Sequence, residues 1–395
     1  MTTNNINSWT EFQPLKQLVI GTTYPPEFFE DVKNSKARDC LQRIASETLE
    51  DLDNLKKVVE DKGVKTYTST TEELGYKTNI MDYLDEEGRM GMGSDKHGQH
   101  EKGRNQLPVP PLNPRDDFVT MGNQVVMTGS AFESKPWVPL FEKWFGENFD
   151  WTIVRDKKKF TRTTANHRNR LGRLGIKDSD VDTLIELEEQ EHTRDRMTGF
   201  CAPELTRVGK TCFCDTQQAV DIADYMELAY PQFNYKGVFI GGHNDAVFNV
   251  LKPGVLLTTE DIGHYAESFP GWEKIYLPES NLNQVRPFLE IKRQNEGKWW
   301  MPGEEDNNEF TDFVETWLED WVGFVEETVF DVNLLMLDEK TAIVNAENAD
   351  LEKKFNAQGI EMIHVPNRHR HFWDAGWHCI TLDVEREGGQ EDYGV

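Results

Sequence analysis

The chain is poor in what several large protein classes require. Cysteine is scarce: five residues in 395, Cys40, Cys201, Cys212, Cys214 and Cys379, are an odd number scattered over a long chain. That excludes a disulfide-stapled framework and fits a reducing cytoplasm. Long apolar runs are missing, since stretches such as Leu334 to Leu337 break off within a few residues, far short of the ~18 that a membrane-spanning helix needs. The opening Met1-Thr2-Thr3-Asn4-Asn5 has neither the basic segment nor the apolar stretch of a secretory signal. Positive charge is in deficit: 43 Lys and Arg against 70 Asp and Glu leave a net charge of −27, which repels phosphate backbones and anionic membranes. The one basic stretch, Arg155 to Arg173, is followed by an acidic one, Asp178 to Asp195, blocks that fold against each other or face solvent. No nucleic-acid or membrane partner is therefore expected. With neither a G-x-G-x-x-G nor a phosphate-loop motif, nucleotide chemistry has no support either.

Core-forming residues are not scarce. At 37% hydrophobic and 11% aromatic, the chain can bury an extensive interior. Its opening reads strand, helix, strand: Gln17 to Gly21, then Cys40 to Lys62 with apolar residues at Leu41, Ile44, Leu49, Leu52, Leu55 and Val59, then Val64 to Thr68. Residues Glu87 to Asn113 lack periodicity and read as a long loop or insertion. Phe118 to Met127 suggests two strands turned around Gly122-Asn123, followed by a helix near Phe132 to Phe145 and a strand near Asp150 to Val154. The same grammar returns as strand Val208 to Cys214, helix Gln218 to Leu228 and strand Lys236 to Gly241. It returns once more as strands Asn333 to Leu337 and Thr341 to Val344, helix Ala346 to Gln358 and strand Ile360 to Val365. Recurring strand-strand-helix-strand units point to one α/β fold built by internal duplication.

Four segments carry groups capable of chemistry. Gly376-Trp377-His378-Cys379 leads into the alternating Ile380, Leu382 and Val384, which places a thiol at the mouth of a strand, either a nucleophile or a buried structural cysteine. In an extended His243-Asn244-Asp245 an imidazole and a carboxylate share one face, as an acid/base pair or as a hydrogen-bonded structural pair. Asp116 and Asp117 follow Asn113-Pro114-Arg115, where paired acids could simply cap or terminate structure. Glu204 in Cys201-Ala202-Pro203-Glu204 says little alone. His369-Arg370-His371 and Cys212-Phe213-Cys214 lack the ligand spacing of a structural zinc site, so no metal is expected.

Taken together these residues resemble the glycine amidinotransferases of the pentein, or guanidino-group-modifying, superfamily. The resemblance rests on Trp9 with Pro14-Leu15 and Val19-Ile20-Gly21, on Pro114-Arg115-Asp116 with Gly122-Asn123, and on His243-x-Asp245-Ala246-x-Phe248-Asn249 with Pro253-Gly254. It extends to Asn333-Leu334-Leu335-Met336-Leu337-Asp338-Glu339-Lys340 and His378-Cys379, so it covers nearly the whole chain in family order. It implies a pentein fold, an α/β-propeller of five ββαβ-type units around a pseudo-fivefold axis, as a single catalytic domain over residues 1–395 with insertions near 80–112 and 280–328. It further implies that Cys379 is the nucleophile, His243 the general acid/base, Glu204 the acid supporting that histidine, and Asp116 and Asp245 the guanidinium-binding carboxylates. The activity implied is transfer of the amidino group of L-arginine to a small primary amine, glycine by default, with no cofactor. Family members are often homodimers.

Three positions depart from the family pattern. Glu204 replaces an aspartate, Ile262 falls where a carboxylate-gripping arginine is expected, and Glu327 falls near a serine that shares that task. An apolar side chain and an added acid at these places favour an amine tail over a carboxylate tail, unless Arg286 or Arg293 restores the grip. A guanidine hydrolase and a non-catalytic binding module are the competing readings. Phe313, Trp317, Trp321 and Val325, at helical spacing, are expected to pack a helix onto the body.

Overall fold

A computed structural model describes residues 5–83, 107–129, 132–160, 197–215, 221–238, 243–259, 265–277, 301–318, 321–322 and 330–395. Seventeen strands run along them: β1 Leu15–Ile20, β2 Lys65–Tyr67, β3 Phe118–Met121, β4 Gln124–Met127, β5 Phe149–Asp150, β6 Lys159–Phe160, β7 Met197–Thr198, β8 Leu205–Val208, β9 Thr211–Asp215, β10 Asn234–Val238, β11 Phe248–Lys252, β12 Val255–Thr258, β13 Glu273–Tyr276, β14 Leu335–Asp338, β15 Thr341–Val344, β16 Glu361–His364 and β17 Thr381–Arg386. Apart from the β6-β7 ribbon they form five three-stranded sheets: β3-β4-β5, β8-β9-β10, β11-β12-β13, β14-β15-β16 and β17-β1-β2. Each sheet has one plan, an antiparallel pair whose second strand is joined in parallel by a third. A parallel join needs a crossover, which the helices supply. The fifth sheet is completed by the last strand pairing with the first, so the two ends of the described fold are stitched together.

Local sequence accounts for these elements. The helix Ser35–Asp61 starts at an Asn34 cap whose side chain accepts from the amides of Lys36 and Ala37, and its buried stripe includes Leu41, Ile44, Leu52, Leu55 and Val59. Fully burying a side chain of that size stabilises the fold by ~1.5–3 kcal/mol. Gly122 turns β3 into β4 at φ +64°, and a Cβ there would sit 2.8 Å from the ring of Trp9. The N-terminal segment thus packs directly on that turn, with bridges from Ser8 to Gly122 and from Thr10 to Val208.

Two expectations change. Val208 to Cys214 is not one strand but a hairpin, β8 and β9, turned at Gly209 with φ +66°. Both strands are buried throughout, which hides the two-residue alternation that would mark a strand boundary. Beyond Asp150 the chain turns into a short helix, Thr152–Arg155, nucleated by the Asp150 side chain accepting from the Thr152 amide, rather than continuing as strand. The helix expected over Phe313, Trp317 and Trp321 spans Asn308–Trp317 and ends before Trp321; its buried Phe310 and Val314 join the same core cluster as the long Ser35–Asp61 helix, Phe313 and Trp317 are only partly buried against it, Trp321 enters it from beyond the helix, and Val325 lies outside the described residues.

Candidate active site

The candidate site is assembled by repetition. In every sheet the segment just ahead of the first strand delivers side chains to one place: Pro114–Asp117 ahead of β3, Ala202–Glu204 ahead of β8, Asn244–Ala246 ahead of β11, Asn333 ahead of β14, and His378-Cys379 ahead of β17. His243 and Asp245 do not lie on an extended segment as expected, because Asn244–Ala246 is a 3-10 turn. Asp245 is buried, whereas His243 stays 35% exposed.

Asn333 sets the position of the thiol. Its Oδ1 accepts from the backbone amides of His378 and Cys379, both at 3.1 Å, and its Nδ2 donates to Cys379 Sγ at 2.9 Å. Gly376 permits this approach, since a Cβ there would lie 2.5 Å from the Asn333 carbonyl oxygen. From the other side Arg115 Nε donates to the carbonyls of His378 at 2.8 Å and Thr381 at 2.9 Å. Arg115 also reaches Asp383 Oδ1 at 2.8 Å, and Arg207 and Arg386 bind the same carboxylate at 2.9 Å. Burial alone would push the Asp383 carboxyl up, but the three guanidinium groups hold it well below the usual carboxylate range.

Above this floor lie the reactive groups. Asp245 Oδ2 is 2.8 Å from His378 Nδ1 and accepts from the Cys379 thiol at 3.3 Å. Its buried Oδ1 has no hydrogen-bond partner among the described residues. Burial raises the Asp245 carboxyl, yet the His378 hydrogen bond and the charges of His378, His243 and Arg115 bring it down to about 2. Burial and the neighbouring Asp245 charge push the Cys379 thiol up, against the pull of His243. Cys201 and Cys379 both neighbour His243, whose Nδ1 is 4.0 Å from Asp116 Oδ1. Burial lowers the imidazole, but these thiols and Asp116 more than offset it, so His243 is raised well above its ordinary value. The site therefore pairs a thiol with a cationic acid and lines the space beside them with carboxylates.

No family model matches the chain. Over 306 residues it is 25% identical to the mitochondrial glycine amidinotransferase of Xenopus tropicalis, a match covering 71% of this chain and 60% of that relative. Two solved structures align along almost the whole chain. An amidinotransferase of the saxitoxin biosynthetic pathway from Microseira wollei gives a TM-score of 0.60 at 15% identity, covering 98% of this chain and 99% of the other. The inosamine-phosphate amidinotransferase of Streptomyces griseus gives 0.59 at 16% identity, covering 99% of both. The chain has the pentein fold and is similar in sequence to glycine amidinotransferases. Its five sheets are the five ββαβ units of that fold. It spans about 60% of the length of the curated relatives it matches.

In this fold four of the residues singled out from sequence, Cys379, His243, Asp245 and Asp116, come together. Glu204 is buried in the turn ahead of β8, where its carbonyl accepts from Asn244 Nδ2 at 3.0 Å and its charge helps to raise the Cys201 thiol. Ile262, Arg286, Arg293 and Glu327 lie outside the described residues. Sequence reasoning missed Cys201, the bracket formed by Asn333 and Arg115, and Glu11, which sits 3.4 Å from His378 Nε2. Cys201 had a usable signal, since like Asp116, His243 and Cys379 it lies in the short segment just ahead of a sheet's first strand.

Proposed function

We propose that this pentein is an amidinotransferase that moves the amidino group of L-arginine to a small primary amine, glycine by default, through a covalent amidino-cysteine on Cys379, and releases ornithine. The observation that carries the reading is the Cys379 sulfur set 3.3 Å from a buried aspartate whose other oxygen has no hydrogen-bond partner among the described residues, with the His243 imidazole neighbouring the same sulfur. A guanidinium is planar and delocalised, and it suits carboxylates that bind it through paired N–H groups. Asp245 and Asp116 are the groups to hold it. Glycine as acceptor is the default drawn from the glycine amidinotransferase relative; the two solved neighbours are amidinotransferases of the saxitoxin pathway and of inosamine phosphate, so acceptor choice rests on the far end of the site, for which Glu327, Arg286 and Arg293 are the candidates.

The charges suggest an order of events. In the resting site the thiol keeps its proton because it is buried beside Asp245. A bound guanidinium cancels that carboxylate charge, so the thiol loses its proton to solvent and the thiolate attacks the guanidinium carbon. A carbon–sulfur bond forms, His243 gives its proton to the departing amine nitrogen, and the carbon–nitrogen bond to ornithine breaks. In the second half the acceptor amine attacks the amidino carbon, its proton passes to the now neutral His243, and the thiolate leaves. Water must be excluded between the halves, or hydrolysis follows.

The five cysteines are free thiols, which supports a reducing compartment such as the cytoplasm. The proposal is tested by incubating the protein with labelled arginine, with and without glycine or a diamine. Ornithine and a new guanidino compound formed only with an amine are expected. Citrulline and ammonia released at a rate independent of amine would contradict it.

A further inference from the structure

Next to the proposed nucleophile lies a row of three buried ionisable groups, Asp245, His378 and Glu11. The imidazole faces a carboxylate from each nitrogen: Nδ1 is 2.8 Å from Asp245 Oδ2, and Nε2 is 3.4 Å from Glu11 Oε2, an ion-pair contact rather than an aligned hydrogen bond. We propose that His378, braced by Glu11, is the positioning residue for Asp245, holding one carboxylate oxygen so that the other is presented to the substrate guanidinium. The proposal rests on the reading of the site as a guanidine site and names what prepares it.

Every part of the row is fixed from outside. The His378 amide is held by Asn333 and its carbonyl by Arg115. Glu11 Oε1 accepts from the Arg207 amide at 3.4 Å and lies 3.8 Å from the Arg207 guanidinium. Glu11 itself sits on the N-terminal segment that bridges to the β3-β4 and β8-β9 hairpins. The ring therefore has little freedom to follow Asp245, and Asp245 must conform to the ring.

What separates this from an ordinary structural pair is the oxygen left over. A buried carboxylate normally has its acceptor capacity filled. Here Oδ2 serves both His378 and the thiol, while buried Oδ1 has no hydrogen-bond partner among the described residues. A buried acid also needs a partner to remain ionised, and it binds guanidinium well only when ionised. His378 meets that need from the side away from Oδ1. Among the described residues, His243 and Arg115 also act on Asp245 through their charges, and Cys379 touches it directly.

The test uses four full-length proteins in a Cys379→Ala background, which prevents turnover: the background itself, His378→Leu, His378→Asn and Glu11→Gln. Arginine affinity is read by calorimetry and folding by thermal unfolding. Loss of one charge-assisted hydrogen bond predicts arginine binding weakened about 10- to 100-fold in His378→Leu. His378→Asn, whose amide can still donate to Asp245, should recover most of that loss, and Glu11→Gln should fall between. With Cys379 restored, Glu11→Gln should raise KM for arginine more than it lowers kcat. Background affinity in a folded His378→Leu would overturn the proposal; should that variant not fold, unchanged affinity in a folded Glu11→Gln would do the same. If the background protein binds no arginine, the functional reading fails, and the row is judged separately by NMR of 15N-histidine-labelled protein. His378 ring signals that move on both Asp245→Asn and Glu11→Gln support the row, and signals indifferent to either substitution overturn it.

Discussion

Asp383 and Asp245 are both buried carboxylates beside the His378-Cys379 segment, and they are treated in opposite ways. Asp383 is saturated: Arg115, Arg207, Arg386 and Ser8 all bind it, so it has nothing left to offer a ligand. Asp245 is half-committed, with one oxygen held by His378 and the thiol and the other without a hydrogen-bond partner among the described residues. Saturation makes a foundation, whereas the unfilled acceptor makes a site. The contrast explains why two acids so close together should fail in different ways.

The largest effect is expected at the nucleophile. Cys379→Ala should abolish turnover of labelled arginine while leaving thermal unfolding close to that of the parent, because a small side chain is lost and the Asn333 hydrogen bonds to the backbone amides remain. Next, Asp383→Ala should destabilise the fold by ~3–5 kcal/mol, the range for removing one partner of a buried ionic cluster, as read by urea unfolding. Asp245→Asn should do the reverse, weakening kcat/KM for arginine by about 10- to 100-fold with far less loss of stability. An Asp245→Asn protein as unstable as Asp383→Ala would break the comparison.

Acid sharpens it. The Asp245 carboxyl is depressed in the folded state from 3.8 to about 2, so its contribution to stability is present above pH 4 and is lost as pH falls toward 2. The stability difference between parent and Asp245→Asn, measured by urea unfolding, should shrink over that interval. For His243 the sign is opposite. Its folded value is raised, so its contribution is complete below 6.5 and disappears as pH rises through the raised value. His243→Gln should therefore remove part of the alkaline loss of stability. The smallest effect belongs to Cys201, whose thiol lies in reach of His243 but carries no charge in its raised state. Cys201→Ser should change kcat by only a few-fold, checked by steady-state kinetics, since the hydroxyl can still hydrogen-bond the ring.

Much of this was legible in the chain because it is local. The periodicity from Leu41 to Val59 gives the long helix, and Gly122 and Gly254 mark two of the hairpins. Cys379, His243, Asp245 and Asp116 could be named because they stand in short motifs that resemble those of the glycine amidinotransferases. What could not be read is the part made by contacts distant in sequence. Nothing near Glu11 reveals that it meets His378, and nothing near Asn333 reveals that it brackets the thiol. The β8-β9 hairpin was hidden for another reason, since strands buried along their whole length carry no polar alternation. The turn at Asn244–Ala246 likewise separates two residues that an extended chain would have put on one face.

The central claim is that the Cys379 sulfur carries the amidino group. Mixing the protein with arginine in the absence of any acceptor amine, quenching in acid and sequencing the peptides by mass spectrometry tests it directly. The account predicts an amidino group on the peptide containing Cys379 that disappears when glycine or another accepted amine is added before the quench. An unmodified Cys379 peptide in a protein that is consuming arginine, or the adduct on Cys201 instead, would contradict it.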